Sequence, residues 1–511
     1  VRIARESEAR QELRGLRGLP GLLLVAVVVA LPACPDGRGD GSSWALAGKC
    51  AVPRTGVDLF THQTYPDVQG TVTDEKRFLR AWSDDTYLWY AELPAVSPTD
   101  PAYPTAQAYF AVLKSTATTA TGHARDRFHF TYPTADWERL SQAGVEAGYG
   151  IGWVFLHNTP PRDLRVGWVE PGSPGETAAV ARGAQVTSID GVGIDDTTQA
   201  GVDTLNAGLS PAAGETHTFG FLGVATPVAL TAADVASAPV QHVSVLPSPL
   251  GKKVGYLLFN EHMATAEAGL VDAVHELQAL GGVDDLVIDL RYNGGGYVDI
   301  ASELAYMIAG PGPTAGKTFE LMKFNDKHPT IDPVTQRLIV PTPFHAEAQG
   351  FSLTAGTSLP HLDLPRVLVL TGPGTCSASE SVVNSLRGVD VDVVQIGATT
   401  CGKPYAFYAQ DNCGTTYFTI QMEGVNQKGF GDYADGFVPG GAGTAGLPGC
   451  AVDDDFGHAL GDPAEARVAA ALGWVDTGAC PVAAARALRA TARDERVVRP
   501  PVKELRLLRP R

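Results

Sequence analysis

Residues 366–389 read RVLVLTGPGTCSASESVVNSLRGV, and this stretch decides the fold. An apolar strand-like run, RVLVLT, meets a tight Gly-Pro loop, and a helical pattern begins at once after it. The same order recurs upstream in VDDLVIDLRYNGGG (283–296), a buried strand running into a Gly-rich loop, followed by the helical YVDIASELAYMIAG (297–310). Downstream, DVVQIGATTCGK (392–403) supplies a further strand and loop. Before them, KVGYLLFN (253–260) reads as a strand, and ATAEAGLVDAVHELQALG (264–281) as an amphipathic helix ended by Gly281 and Gly282. Strands alternating with helices predict an α/β layer whose sheet is mainly parallel. In such sheets ligands bind where strand C-terminal ends feed loops, and RYNGGG and GPGTCSAS both lie at such ends.

Outward from this region, residues 144–245 change to short β-like runs with turns between them. GYGIGWVFL, LRVGWVEPGSPGETAAV and GAQVTSIDGVGI follow one another, with Asp190-Gly191 at a hairpin bend. Residues 73–140 turn helical: Phe78, Leu79, Trp82, Leu88 and Trp89 recur at mostly helical spacing, and AQAYFAVLKS (106–115) predicts a second short helix. Residues 35–72, rich in Gly, Asp, Ser and Thr, read as a linker. At the start, Arg10, Arg14 and Arg17 precede the apolar run Gly21–Leu31 and the small-residue site at Ala33-Cys34, the order of an export signal. That run is short for a membrane span. The LPAC ending resembles a bacterial lipoprotein signal, which implies lipidation of Cys34; a plain cleaved signal peptide is the alternative.

The chain has 511 residues, enough for several domains, and a globular composition with 44% hydrophobic and 19% charged residues. Its net charge is -17; without the +2 of residues 1–20 and the +6 of the basic tail 481–511, the rest stands near -25. So acidic a body repels phosphates, which argues against a nucleic-acid partner. The basic tail reads as a solvated, frayed helix, with anionic lipid headgroups a conceivable contact. Beyond Cys34, the six cysteines Cys50, Cys376, Cys401, Cys413, Cys450 and Cys480 form an even set, and in an exported chain they read as disulfides. Cys401 with Cys413 could close a hairpin, and Cys450 with Cys480 bracket another segment, but spacing does not fix connectivity. None has the paired spacing of a zinc site, and no metal is expected.

Ser377 falls at the turn from strand to helix, where unpaired backbone N–H groups and the helix dipole favour a developing negative charge. On this segment alone a helix cap is the simpler reading. Lys403, in TTCGKPYAF (399–407), follows the next strand and so leaves the same sheet edge; desolvation in a closed cleft would let it act as a base toward Ser377. Arg291 and Asp289 in DLRYNGGG read as structural ion-pair partners, with a substrate-carboxylate anchor the alternative for Arg291. His458 reads as packing or capping.

DLRYNGGG, CSASES and IGATTCGKP, in that order and after the 144–245 segment, resemble the C-terminal processing (tail-specific) proteases of the S41 peptidase family. The resemblance implies a serine endopeptidase with Ser377 as nucleophile and Lys403 as base. It implies an oxyanion hole from the Ala378 amide and one from Gly294 or Gly295, and protein or peptide substrates without a cofactor. The 144–245 segment resembles a PDZ domain, whose Gly-rich loop holds a peptide C-terminus; Gly148, Tyr149, Gly150 and Ile151 match that loop. The organisation expected is thus a multi-domain α/β protein: signal 1–34, linker 35–72, helical region 73–140, PDZ-like domain 144–245, catalytic domain 250–475 and tail 481–511, exported and held at a membrane by a lipid anchor. Two departures stand out. Phe407 occupies the position where many family members carry a Gln that orients the lysine. Gly388 stands where some carry an Asp, with Asp390 and Asp392 nearby. The missing Gln leaves a catalytically inactive, peptide-binding lipoprotein as the alternative function.

Overall fold

The computed structural model describes residues 45–481 and 495–498 in full, and residues 506–507 as backbone. The export-signal segment and Cys34 lie outside the described residues.

A six-stranded sheet is the frame, in the order Val240–Pro247, Lys253–Phe259, Asp285–Asp289, Arg366–Thr371, Asp392–Gly397 and Gly449–Ala451. The first two strands pair antiparallel, and all later neighbours are parallel. Alternation within each apolar run explains how both faces are filled. Leu286, Ile288, Val367 and Val369 pack with the helices Ala266–Ala279, Val298–Ala309 and Ala378–Gly388. Val287, Leu368, Leu370 and Ile396 face the other way, onto the helix Ala466–Thr477. The chain is therefore a multi-domain α/β protein with a mainly parallel sheet. The register sets Asp289 opposite Leu370 and Thr371 opposite Gly397. Three loops, 290–295, 372–377 and 398–404, thus leave adjacent strands at one edge.

A second sheet is built from Val228–Thr231, Thr216–Phe221, Gln185–Ile189, Asp163–Val169 and Ile151–His157. The hairpin at Asp190-Gly191 has both residues at positive φ, 48° and 78°, the backbone that a tight primed turn requires. The helix Gln199–Leu209 packs Leu205 into this module's own core.

Four sequence expectations are corrected. The helix over residues 72–86 starts at a Thr71–Asp74 capping box and buries Phe78, Leu79 and Trp82, but it stops before Leu88 and Trp89. There the Leu88 N–H donates to the Ile420 carbonyl at 2.8 Å, so a tertiary partner overrides the helical spacing. The 35–72 linker is not a free tether where it is described. Lys49–Cys50 pairs with Val68–Gln69, and Cys50 is fully buried in a disulfide to Cys413. That bond replaces the Cys401–Cys413 closure; the others are Cys376–Cys401 and Cys450–Cys480. The tail, finally, is not helical where it is described. Arg496–Val498 adds an antiparallel strand to Ile151–His157, and Arg506–Leu507 pairs in parallel with Gly296–Tyr297. The alternation in Glu495-Arg496-Val497-Val498 buries Glu495 and Val497 and leaves Arg496 exposed, the period of a strand.

The region before residue 144 is stitched to the large α/β part. Phe130–Pro133 pairs antiparallel with Thr415–Phe418, and Phe128 joins a core with Cys376, Tyr405 and Ile420. Residues from the N-terminal region thereby reach the loop edge of the parallel sheet.

Candidate functional site

At that edge Ser377 precedes the helix Ala378–Gly388 with φ 62° and ψ -115°, a backbone conformation that costs a residue with a Cβ of order 1–3 kcal/mol. Its Oγ is buried and has no hydrogen-bond partner among the described residues. The Glu380 half of a capping box is present, its carboxylate accepting from the Ser377 N–H, while the Ser377 hydroxyl makes no cap bond of its own. The Ala378 N–H, at the first helical position, has no intrahelical acceptor.

The loops carrying Ser377 and Lys403 are bound together three times over. Cys376 and Cys401, one residue before Ser377 and two before Lys403, form a disulfide with their Cα atoms 5.1 Å apart. The Cys401 N–H donates to the Thr375 carbonyl at 2.9 Å. Glu380, fully buried, accepts at Oε2 from the Ser377 N–H (2.9 Å) and the Lys403 N–H (2.8 Å), and at Oε1 from the Gly402 N–H (2.8 Å) and the Thr400 hydroxyl (2.5 Å). Burial pushes the Glu380 carboxyl above its ordinary range, against the pull of these donors. The cluster of Cys376, Glu380 and Cys401 has metal-like proximity, but both sulfurs are consumed by the disulfide and offer no thiolate.

Lys403 is fully buried, with Nζ 4.4 Å from the Phe407 ring centroid and 4.7 Å from that of Phe128. The position that departs from the family pattern thus places an aromatic face beside the ammonium. Phe128 arrives from the N-terminal region, and the neighbouring Arg127 guanidinium donates to the Cys401 carbonyl. Asp390 and Asp392 are not part of this site. Asp390 pairs with Lys428 on the surface, and both aspartates lie past the far end of an 11-residue helix, about 16 Å from its start.

The Gly-rich loop sits against the same helix start. The Cys376 N–H donates to the Asn293 carbonyl at 3.0 Å, and so does the Ser379 hydroxyl at 3.2 Å. Asn293 Oδ1 accepts from the Gly295 N–H at 2.9 Å, so of the two candidate amides Gly295 is already engaged. Asn293 Oδ1 also accepts from His262 Nδ1 at 3.0 Å; an amide oxygen cannot donate, which fixes that tautomer. Burial holds the His262 pKa down at about 3.

Arg291 is structural: fully buried, it pairs with Asp289, Asp454 and Glu465. Tyr256 donates to the same Asp289 at 2.9 Å. His458 pairs with Asp455 at the surface, and its carbonyl accepts from Arg182 at 3.1 Å. Gly148 ends the strand Val145–Gly148, which pairs with Ala233–Ala236, and Ile151 opens the strand Ile151–His157 of the second sheet, with Gly150 at φ 67° and Tyr149 buried. A cavity of about 580 Å³ opens beside this turn, lined also by Leu209, Val235, Trp168 and Val498.

Sequence reasoning named Ser377, Lys403 and the Gly-rich loop, which the structure brings to one edge, but passed over Glu380, Asn293, His262 and Phe128. The Ser-x-x-Glu spacing from Ser377 to Glu380 is the sequence signal that could have found Glu380, as a capping partner. Nothing near Phe128 in the sequence signals its place beside Lys403.

Residues 253–407 match the family model of Peptidase family S41. A carboxyl-terminal-processing protease of Picosynechococcus sp. is 28% identical over 278 residues, 52% of this chain and 56% of that protein, so the match spans about half the length of that relative. A crystal structure from Bacteroides fragilis, assigned to the S41 proteases, is similar in fold with a TM-score of 0.58 at 22% identity, covering 81% of this chain and 98% of the other. The photosystem II D1 C-terminal processing protease is a looser likeness, with a TM-score of 0.43 at 18% identity over 73% of this chain and 92% of its own.

Proposed function

We propose that the chain, whose residues 253–407 match the model of Peptidase family S41, is a serine-type endopeptidase acting through Ser377 and Lys403. One observation carries the reading. Ser377 holds a strained backbone and a buried, unpartnered hydroxyl at a helix start, and a disulfide and the Glu380 carboxylate tie it to the Lys403 loop.

The chemistry follows from the surroundings. Ser377 Oγ attacks the peptide carbonyl carbon while Lys403 Nζ takes the hydroxyl proton. The oxygen that gains negative charge is met by the Ala378 and Gly294 N–H groups, which need no reorganisation because the disulfide and the Asn293 carbonyl hold both loops. Lys403 then returns its proton to the leaving amine, and water attacks the acyl group with Lys403 again as base. A fully buried lysine has lost water's stabilisation of its ammonium, the condition under which a lysine serves as base. The rings of Phe128 and Phe407 bound its position in place of a hydrogen-bonding amide. The mechanism requires no metal or organic cofactor.

Substrates are proteins or peptides with an extended segment. The turn Gly148–Ile151, in a module read as PDZ-like, docks the segment by strand addition to Ile151–His157. Three disulfides suit an oxidising compartment, in keeping with export and with Cys34 as a lipid attachment point. Incubation with a reduced, unfolded protein followed by rapid acid quench tests the reading. A covalent acyl adduct mapped by mass spectrometry to Ser377 is expected; an adduct on another residue, or none during active turnover, refutes it.

A further inference from the structure

The tail strand Arg496–Val498 runs antiparallel to Ile151–His157, with Arg496 opposite Phe155 and Val498 opposite Trp153. Its direction therefore leads toward the Gly148–Ile151 turn, the path an incoming peptide takes when it adds a strand to that edge. The strand is seated, not draped. Val497 lies in the core with Val154, Tyr292 and Leu370, and Glu495 accepts from Arg467 at 3.4 Å. Gly374, three residues before Ser377, has no room for a Cβ, which would come within 2.8 Å of Val497 Cγ2.

Farther along, Arg506–Leu507 pairs in parallel with Gly296–Tyr297, directly after the oxyanion loop, and lies alongside Tyr405–Ala406, directly after Lys403. His262 occupies the other side of Gly296. The two tail strands thus occupy, in chain order, the docking edge and then the strip between the two loops that carry the chemistry.

We propose that these two strands are a built-in competitor for substrate: the chain's own tail holds the docking edge and the catalytic strip, and an incoming peptide must displace it. The proposal rests on the peptidase reading above. Because both contacts are main-chain ladders, the tail competes without matching the cleavage preference of the enzyme, and its tether keeps its local concentration in the millimolar range.

The test uses the full chain and the double variant Arg506→Pro/Leu507→Pro, which removes two backbone donors while leaving the buried Val497 strand in place. On an unfolded protein substrate well below KM, the variant is expected to raise kcat/KM about tenfold, the size of effect that one lost backbone hydrogen bond at the upper end of its range gives. Arg506→Ala/Leu507→Ala keeps the backbone ladder and should stay near wild type. A synthetic peptide of residues 499–511 added to the proline variant should raise the apparent KM and leave kcat unchanged. Equal kcat/KM in wild type and proline variant, with native melting in both, overturns the proposal. So does removal of the tail by the wild type but not by Ser377→Ala, which would make it a substrate. No turnover by any of the proteins means that the peptidase reading fails; calorimetric binding of the peptide to the proline variant then reads the docking by itself, and no saturable binding overturns that as well.

Discussion

Replacing Glu380 is the perturbation whose consequences are most fully set by the geometry. Its carboxylate receives four donors, three of them backbone N–H groups and all buried. Glu380→Ala leaves all four without an acceptor, at about 1 kcal/mol each as a low estimate, so about 4 kcal/mol in total. That is a large share of the ~5–15 kcal/mol that separates folded from unfolded domains. At roughly 2–4 °C per kcal/mol, melting falls by about 8–16 °C. Glu380→Gln is the sharper probe because it keeps the shape. Its single oxygen can serve one pair of donors, and its NH₂ then faces the other pair, Thr400 with Gly402 or Ser377 with Lys403. Because the same oxygen holds the Ser377 and Lys403 backbones, a displacement on the order of 1 Å is expected, which costs about a hundredfold in rate. The assay is steady-state cleavage of an unfolded protein at a temperature where calorimetry shows the variant folded. A loss in kcat with KM little changed supports the account. Wild-type kcat and melting in Glu380→Gln would show that this carboxylate does not set the two loops.

Three further outcomes follow from the same structure. Removing the Cys376–Cys401 disulfide by the double alanine variant should cost about 3 kcal/mol, given its 25-residue separation, and should lower kcat more than the double alanine variant of Cys450–Cys480; equal kcat losses would separate the bond from the site. Arg291→Met leaves Asp289, Asp454 and Glu465 facing one another and should destabilise by about 3–5 kcal/mol, with KM for peptides unchanged in folded material; a selective rise in KM would return Arg291 to substrate binding. His262 and His129 are held neutral by burial, with pKa values down at about 3 and about 4 against an ordinary 6.5. The unfolded chain therefore binds more protons than the folded one below pH 6.5, so their contribution is full above that value and is lost as pH falls toward 4 and then 3. Melting temperature measured from pH 7.5 to 4 should fall, and His262→Asn should flatten the slope; an identical slope would place the acid sensitivity elsewhere.

The parallel sheet was legible because its strands are apolar on both faces and each hands over to a Gly-rich loop, as LVIDL does to RYNGGG. The proximity of the loops carrying Ser377 and Lys403 was legible because parallel strands place successive loops at one edge. What escaped depends on contacts far apart in sequence. Cys50 finds Cys413 across 363 residues, and Phe128 reaches Lys403 through a strand pairing that no local pattern announces. Leu88 and Trp89 keep helical spacing, yet the backbone leaves the helix for a carbonyl at Ile420. In the tail, eight arginines between residues 481 and 511 mask the short alternation at 495–498 that makes a strand. Within the Gly-rich loop, the Asn293 side chain engages the Gly295 N–H, a contact that no spacing specifies.

The pairing of Ser377 with Lys403 is the centre of the account, and one comparison tests it most directly. Wild type, Ser377→Ala and Lys403→Ala are assayed side by side on the same unfolded protein, with the fold of each checked by near-ultraviolet circular dichroism. Cleavage lost in both variants, with native spectra, is the result predicted; cleavage by all three at equal rates would contradict it.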